Sequence, residues 1–133
     1  LNSDYLFVYG TLLKDTTNNE MSKFLNANAA FFGRGYFIGK LYKVSWYPGA
    51  VISYNETDKV YGALFKLNNF DSVYKVLDAY EGVDENQPDS SLFKRELVTA
   101  FLDDGRTLNT WVYLYNQLLD GIPCIESGDF LRL

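Results

Sequence analysis

There is no histidine in this chain, and that absence closes off a good deal of enzymology. A Ser-His-Asp or Cys-His relay cannot be assembled, and the usual zinc ligand sets lack their imidazoles. Cysteine is nearly as scarce. The single one, Cys124, cannot close an internal disulfide, so the fold is expected not to depend on an oxidising compartment and a cytoplasmic location follows. With Pro123 beside it and no basic neighbour to favour a thiolate, Cys124 is expected to be a plain structural or exposed residue. No apolar run approaches the roughly 20 residues needed to cross a bilayer, and the first residues lack the basic-then-apolar order of an export signal. Positive charge is in deficit. Twelve Lys and Arg against 17 Asp and Glu leave a net charge of −5, which opposes partnership with nucleic acid or an anionic membrane.

Aromatic residues, by contrast, are abundant: 17% of the chain, with 11 Tyr and 10 Phe. Such side chains favour strands. At 133 residues the chain has the size of one domain, 1–133, able to bury roughly two thirds of the surface it exposes when unfolded. YLFVYG, Tyr5 to Gly10, is a short apolar run ended by Gly, the pattern of a buried strand. KDTTNN follows as a loop, and NEMSKFLNAN as a short helix. The segment AFFGRGYFIGKLYKV, Ala30 to Val44, predicts strand pieces with bulges or bends at Gly33, Gly35 and Gly39. WYPG is a turn signal, AVISY a brief strand, NETDK a turn, and VYGALFKL a strand whose Gly62 predicts a bulge. LFKRELVTAFL and TLNTWVYLYN flank the turn DDG, an antiparallel pair. The tail IPCIESGDFLRL has no clear periodicity.

From Phe70 to Tyr80 the apolar residues Phe70, Val73, Val76, Leu77 and Tyr80 share one helical face, with Asn69 or Asp71 as the N-cap. Six strand-like segments, this helix and a second short one predict an α+β domain, a small curved mixed sheet closing into a barrel-like core.

Three places carry potential chemistry. The first is VYGTLL, where a strand runs into Gly10. Successive backbone N–H groups from Gly10 through Thr11 to Leu12 can form an anion-binding nest, although a plain turn fits the same residues. The second is the end of the helix in LDAYEGVDEN. A helix C-terminus prefers Lys or Arg, yet Asp78, Glu81, Asp84 and Glu85 crowd this one. Like charges and desolvation at Glu81 would raise its pKa, which suits a carboxyl group that takes and returns protons near neutral pH; a solvated acidic loop face is the other reading. The spacing lacks the ordered ligands and fixed Gly of a calcium loop, so no metal is expected. The third is WVYLY, in which Trp111, Tyr113 and Tyr115 share a face opposite Val112 and Leu114, either lining a pocket or packing a core. Arg95, on the neighbouring strand, either pairs with a neighbouring carboxylate, the favoured reading, or offers charge to a ligand.

Taken together these pieces resemble the gamma-glutamylcyclotransferase-like family, which includes the avirulence-induced plant proteins and the gamma-glutamylamine cyclotransferases. The similarity lies in VYGTL (Val8 to Leu12), YPG (Tyr47 to Gly49), VYGALFKL (Val60 to Leu67), LDAYEG (Leu77 to Gly82), FKRELV (Phe93 to Val98) and WVYLYN (Trp111 to Asn116), in family order. The sequence departs from the pattern at Phe93, where the family often has Tyr. What the resemblance implies is a barrel-like fold in which the backbone of Gly10, Thr11 and Leu12 holds a substrate α-carboxylate and Glu81 is the catalytic acid/base. Tyr9 and Tyr115 would shape the pocket. The implied partner is a small γ-glutamyl amine or peptide, converted to 5-oxoproline without any cofactor. A carboxylate-binding module without turnover is the rival expectation.

Overall fold

The aromatic, Gly-punctuated segment after residue 28 forms one long strand, and the rest of the sheet is assembled around it. The structure, a computed structural model, describes residues 4–9, 24, 27–44, 48–80 and 91–129, with the backbone alone at 70 and 80. In chain order the elements are β1 (Tyr5–Val8), β2 (Ala29–Lys43), β3 (Pro48–Ile52), β4 (Lys59–Leu67), α1 (Phe70–Tyr80), β5 (Phe93–Leu102) and β6 (Thr107–Tyr115). Phe24, Ala27 and Asn28 also have helical backbone, inside the segment expected to form the short helix.

Five of the strands make a ring. Its order is β2, β4, β1, β6, β5, and it closes back on β2 through Gly35 opposite Leu102 and Tyr36 opposite Phe101. β1 and β6 run parallel and the other pairs antiparallel, so the sheet is mixed. β3 lies outside the ring, paired with the far half of β2 from Gly39 to Lys43. The expected curved sheet closing into a barrel is therefore what the chain forms.

The period-2 alternation of each strand sorts its side chains into two apolar layers. Phe7, Phe37, Leu41, Val60, Leu64, Val112 and Leu114 belong to the layer to which every strand contributes, the barrel interior. Leu6, Val8, Ala63, Phe65 and Tyr113 face the other way and meet Val73, Tyr74 and Leu77 of α1. Both faces of β6 are thus buried. Trp111, Tyr113 and Tyr115 do share a face, on the helix side.

Four local expectations are corrected. Val76 is 38% exposed, and Tyr74, at 2%, takes its place on the buried face of α1. Gly62 sits in unbroken register opposite Gly35, and the register shift falls instead between Phe31 and Gly33. The reason for glycine at 62 and 35 is close approach: a Cβ would stand 2.2 Å from the Val8 carbonyl oxygen at the first and 2.3 Å from that of Phe101 at the second. The strand pieces expected around Gly35 and Gly39 are one strand: β2 runs unbroken through both, its partner changing from β4 to β3 at Gly39. The strand expected at Ala50 to Tyr54 begins at Pro48 and stops at Ile52, because Ser53 turns away: its hydroxyl donates to Asp58 (2.6 Å) and accepts from the Asn55 N–H.

The turn at Asp103–Gly105 is as expected, with Gly105 at positive φ. Asn69 is the N-cap, its carbonyl accepting from Val73 N–H. The tail has a task the sequence did not disclose. Pro123 and Gly128 carbonyls accept from Lys43 and Tyr61, and Ile125 N–H donates to Leu41, so it straps β2 to β4.

Candidate active site

α1 ends without a basic residue in its last turn. The missing positive charge comes from a strand. Arg95 of β5 meets the Asp78 carboxylate with two hydrogen bonds, Nε to Oδ1 at 3.0 Å and Nη2 to Oδ2 at 3.2 Å. Directly across from Arg95 on β6 stands Tyr113, whose hydroxyl donates to the same Oδ1 at 2.6 Å. The guanidinium carbon also lies 4.1 Å from the centre of the Tyr74 ring and 4.8 Å from that of Trp111, two rings set edge to face against each other, so the charge sits over aromatic faces. Burial alone disfavours the Arg95 charge, but the bonds to Asp78 outweigh it and raise the pKa above its ordinary value. Tyr113 and Tyr74 are pushed well above the usual phenol range, first by burial and, for Tyr113, next by its bond to the Asp78 carboxylate. Asp78 is therefore a bridged charge, held by Arg95 and Tyr113 together. The expectation that Arg95 pairs with a carboxylate holds.

Tyr9, the last described residue before the Gly10 to Leu12 segment, is buried in the barrel-interior layer. Its hydroxyl donates to the Tyr113 carbonyl oxygen and accepts from the Ala50 N–H at 3.2 Å. Tyr115 belongs to the helix-side layer, edge-on to Phe93 with ring centres 5.6 Å apart. Gly49 packs against the root of its ring, where a Cβ would approach within 2.8 Å. The two pocket-shaping candidates thus sit in different layers, and neighbouring residues of β3 touch both. Glu81, Gly10, Thr11 and Leu12 lie outside the described residues.

The last residues of β6 and the two that follow collect every described flank of those segments. Tyr113 receives Tyr9 and holds Asp78. Tyr115 meets Gly49 and Phe93, and Asn116 and Gln117 both donate to the Ser91 carbonyl oxygen, where the chain returns after the acidic segment. Ser91 is itself buried. The sequence does not single out the Asp78–Tyr113 contact. The available signal was the four-residue spacing of Tyr74 and Asp78, which puts the acid beside the helix's buried face. Among the described residues no cluster of three or more Asp, Glu or Cys could hold a metal ion, and no helix is long and apolar enough to cross a membrane.

A mixed five-strand barrel with one short helix against it is the gamma-glutamyl cyclotransferase type of fold. The family model for gamma-glutamyl cyclotransferase, AIG2-like, matches residues 6–132, and the chain belongs to that family. It is 29% identical over 127 residues to a protein of Methanocaldococcus jannaschii provisionally named a gamma-glutamylcyclotransferase, covering 96% of this chain and 95% of the other. The gamma-glutamylcyclotransferase family protein YtfP of Escherichia coli is likewise 29% identical, over 95% of both chains. The solution structure of YtfP superposes with a TM-score of 0.65 at 27% identity, over 96% of each chain. YkqA of Bacillus subtilis gives a TM-score of 0.68 at 23% identity, a likeness of fold; it covers 95% of this chain but only 39% of that longer protein.

Proposed function

We propose that the protein converts a γ-glutamyl amine or γ-glutamyl peptide to 5-oxoproline and the free amine or amino acid, with Glu81 as the single acid/base. The observation that carries this is the family match across residues 6–132, which spans both the VYGTL and the DAYEG segments. The chemistry suits a chain without histidine. In a γ-glutamyl amide the nucleophile is the substrate's own α-amine. It attacks the γ-carbonyl carbon, a C–N bond forms to close the five-membered lactam, and the C–N bond to the departing amine breaks. The α-nitrogen goes from ammonium to lactam N–H and loses two protons, and the leaving nitrogen goes from amide N–H to ammonium and gains two, so one carboxyl group can carry them across in turn. The protein's remaining task is to hold the substrate curled, amine against carbonyl.

Backbone N–H groups of Gly10, Thr11 and Leu12 hold the α-carboxylate on this reading, while Tyr9 and Tyr115 fix the walls on either side. No cofactor enters the scheme. A reducing cytoplasm is the proposed setting, supported by one cysteine that the fold leaves exposed and unbridged.

The test is release of 5-oxoproline from a panel of γ-glutamyl amines and dipeptides, comparing wild type with Glu81→Gln. Turnover by wild type that collapses in the variant, with an unchanged circular dichroism spectrum, supports the assignment and identifies the substrate class. Silence from both, with saturable binding of γ-glutamyl compounds, would instead favour a carboxylate-binding module.

A further inference from the structure

Tyr113 is joined at both its ends to the segments that the proposed chemistry uses. Its backbone carbonyl accepts from the Tyr9 hydroxyl, one residue ahead of Gly10. Its side-chain hydroxyl donates to Asp78 at 2.6 Å, three residues ahead of Glu81. Tyr113 is 4% exposed and lies opposite Arg95, held within the β5–β6 ladder two pairs in from its Phe93–Tyr115 end. It is a rigid post.

We propose that Tyr113 is a positioning residue, whose two hydrogen bonds fix the distance between the segment that follows Tyr9 and the end of α1. This rests on the reading that residues 10–12 hold the substrate's carboxylate and that Glu81 moves its proton. Cyclisation demands that spacing. In the curled substrate the α-amine shares a carbon with the carboxylate and the leaving nitrogen sits on the γ-carbonyl brought against it, so a shift of the acid/base relative to the carboxylate site moves the proton donor off both nitrogens without weakening the grip on the carboxylate. Arg95 clamps Asp78 to β5, and Tyr113 meets both Asp78 and the Tyr9 hydroxyl. The Tyr9 bond carries the other half: β1 ends at Val8, and Tyr9 is tied through its hydroxyl to β6 and, by Ala50, to β3. The two bonds make separable demands on the kinetics.

The experiment compares kcat and KM for 5-oxoproline release by wild type, Tyr113→Phe, Tyr9→Phe and Glu81→Gln, each confirmed folded by near-UV circular dichroism. Tyr113→Phe deletes only the hydroxyl that reaches Asp78. The expected result is a kcat lower by about tenfold to a hundredfold, the scale of loss for a misplacement near 1 Å, with KM changed less than about threefold. Tyr9→Phe frees the other end and is expected to raise KM more than it lowers kcat. Combining Tyr113→Phe with Asp78→Asn should cost no more in kcat than the worse single variant, because both act through one contact. A folded Tyr113→Phe with wild-type kcat, alongside an inactive Glu81→Gln, would overturn the positioning role and leave the reaction intact. Should Tyr113→Phe fail to fold, wild-type KM in Tyr9→Phe overturns it equally. If wild type releases no 5-oxoproline from any substrate, the assigned reaction falls and this inference with it.

Discussion

Replacing Asp78 with Asn and Arg95 with Met, singly and together, isolates the ion pair that ties α1 to the barrel. Asn keeps the shape and an acceptor for the Tyr113 hydroxyl, and Met keeps an unbranched stem over the Tyr74 and Trp111 rings. The Asp78 and Arg95 side chains are 16% and 21% exposed, so the pair lies between two well-measured limits. Exposed ion pairs couple by about 0.2–1 kcal/mol, whereas removing one partner of a fully buried pair costs about 3–5 kcal/mol. Two charge-assisted hydrogen bonds in good geometry, with four fifths of the surface covered, place the coupling near 2 kcal/mol. For 133 residues the unfolding entropy is roughly 0.28 kcal/mol/K, so 2 kcal/mol corresponds to about 7 °C in Tm. The assay is a double-mutant cycle by urea unfolding, repeated in 1 M KCl. Screening reaches exposed pairs far more than covered ones, so most of the coupling should survive the salt. A coupling under about 0.5 kcal/mol, or one abolished by KCl, would show that the neighbouring Tyr74 and Trp111 rings do not shield this pair.

Two further outcomes follow from the same coordinates. Gly105 and Gly128 both have positive φ, +93° and +68°, but a Cβ on the first meets nothing within 4 Å and on the second would lie 1.8 Å from the Lys59 carbonyl oxygen. Gly105→Ala should therefore cost about 1–2 kcal/mol of backbone strain alone, and Gly128→Ala distinctly more, with the tail's amides losing hydrogen-exchange protection; equal costs would contradict the close approach. The raised pKa values of Tyr74 and Tyr113 mean the folded state holds two protons that the unfolded state releases near pH 10. Stability is then fully present below pH 10 and falls above it, by up to about 2.7 kcal/mol per pH unit for the two. Absorbance titration should show at least two tyrosines staying protonated until unfolding, and ordinary titration of all 11 would contradict it.

Most of the architecture was legible because it rests on local signals. Alternation in WVYLY put Trp111, Tyr113 and Tyr115 on one face, the Asp-Gly pair gave the β5–β6 turn, and Asn69 marked the start of α1. What escaped were relations between distant residues. Nothing in VYGALFKL says that Gly62 must clear the Val8 carbonyl, and nothing in FKRELV says that Arg95 will answer Asp78. Likewise Val76 and Tyr74 both fit a helical stripe, and only the position of β6 decides which is covered. At the candidate site the motif residues could be named from the chain, whereas Tyr113, which bonds to both flanks, looked like one more core aromatic. The tail seemed featureless because its task is performed by backbone groups, which any sequence possesses.

The barrel's closure between β2 and β5 has a bearing on how the molecule comes into being. Only two residue pairs make it, and they join Tyr36 to Phe101 across roughly half the chain, so loop-closure entropy must be met before the seam yields any contact energy. Folds dominated by such remote pairings assemble in milliseconds to seconds rather than microseconds. The seam is also a place of close backbone approach, at Gly35. A methyl group there would act on the clock of folding as well as on its balance, because the contact it obstructs is the one that turns a sheet into a ring.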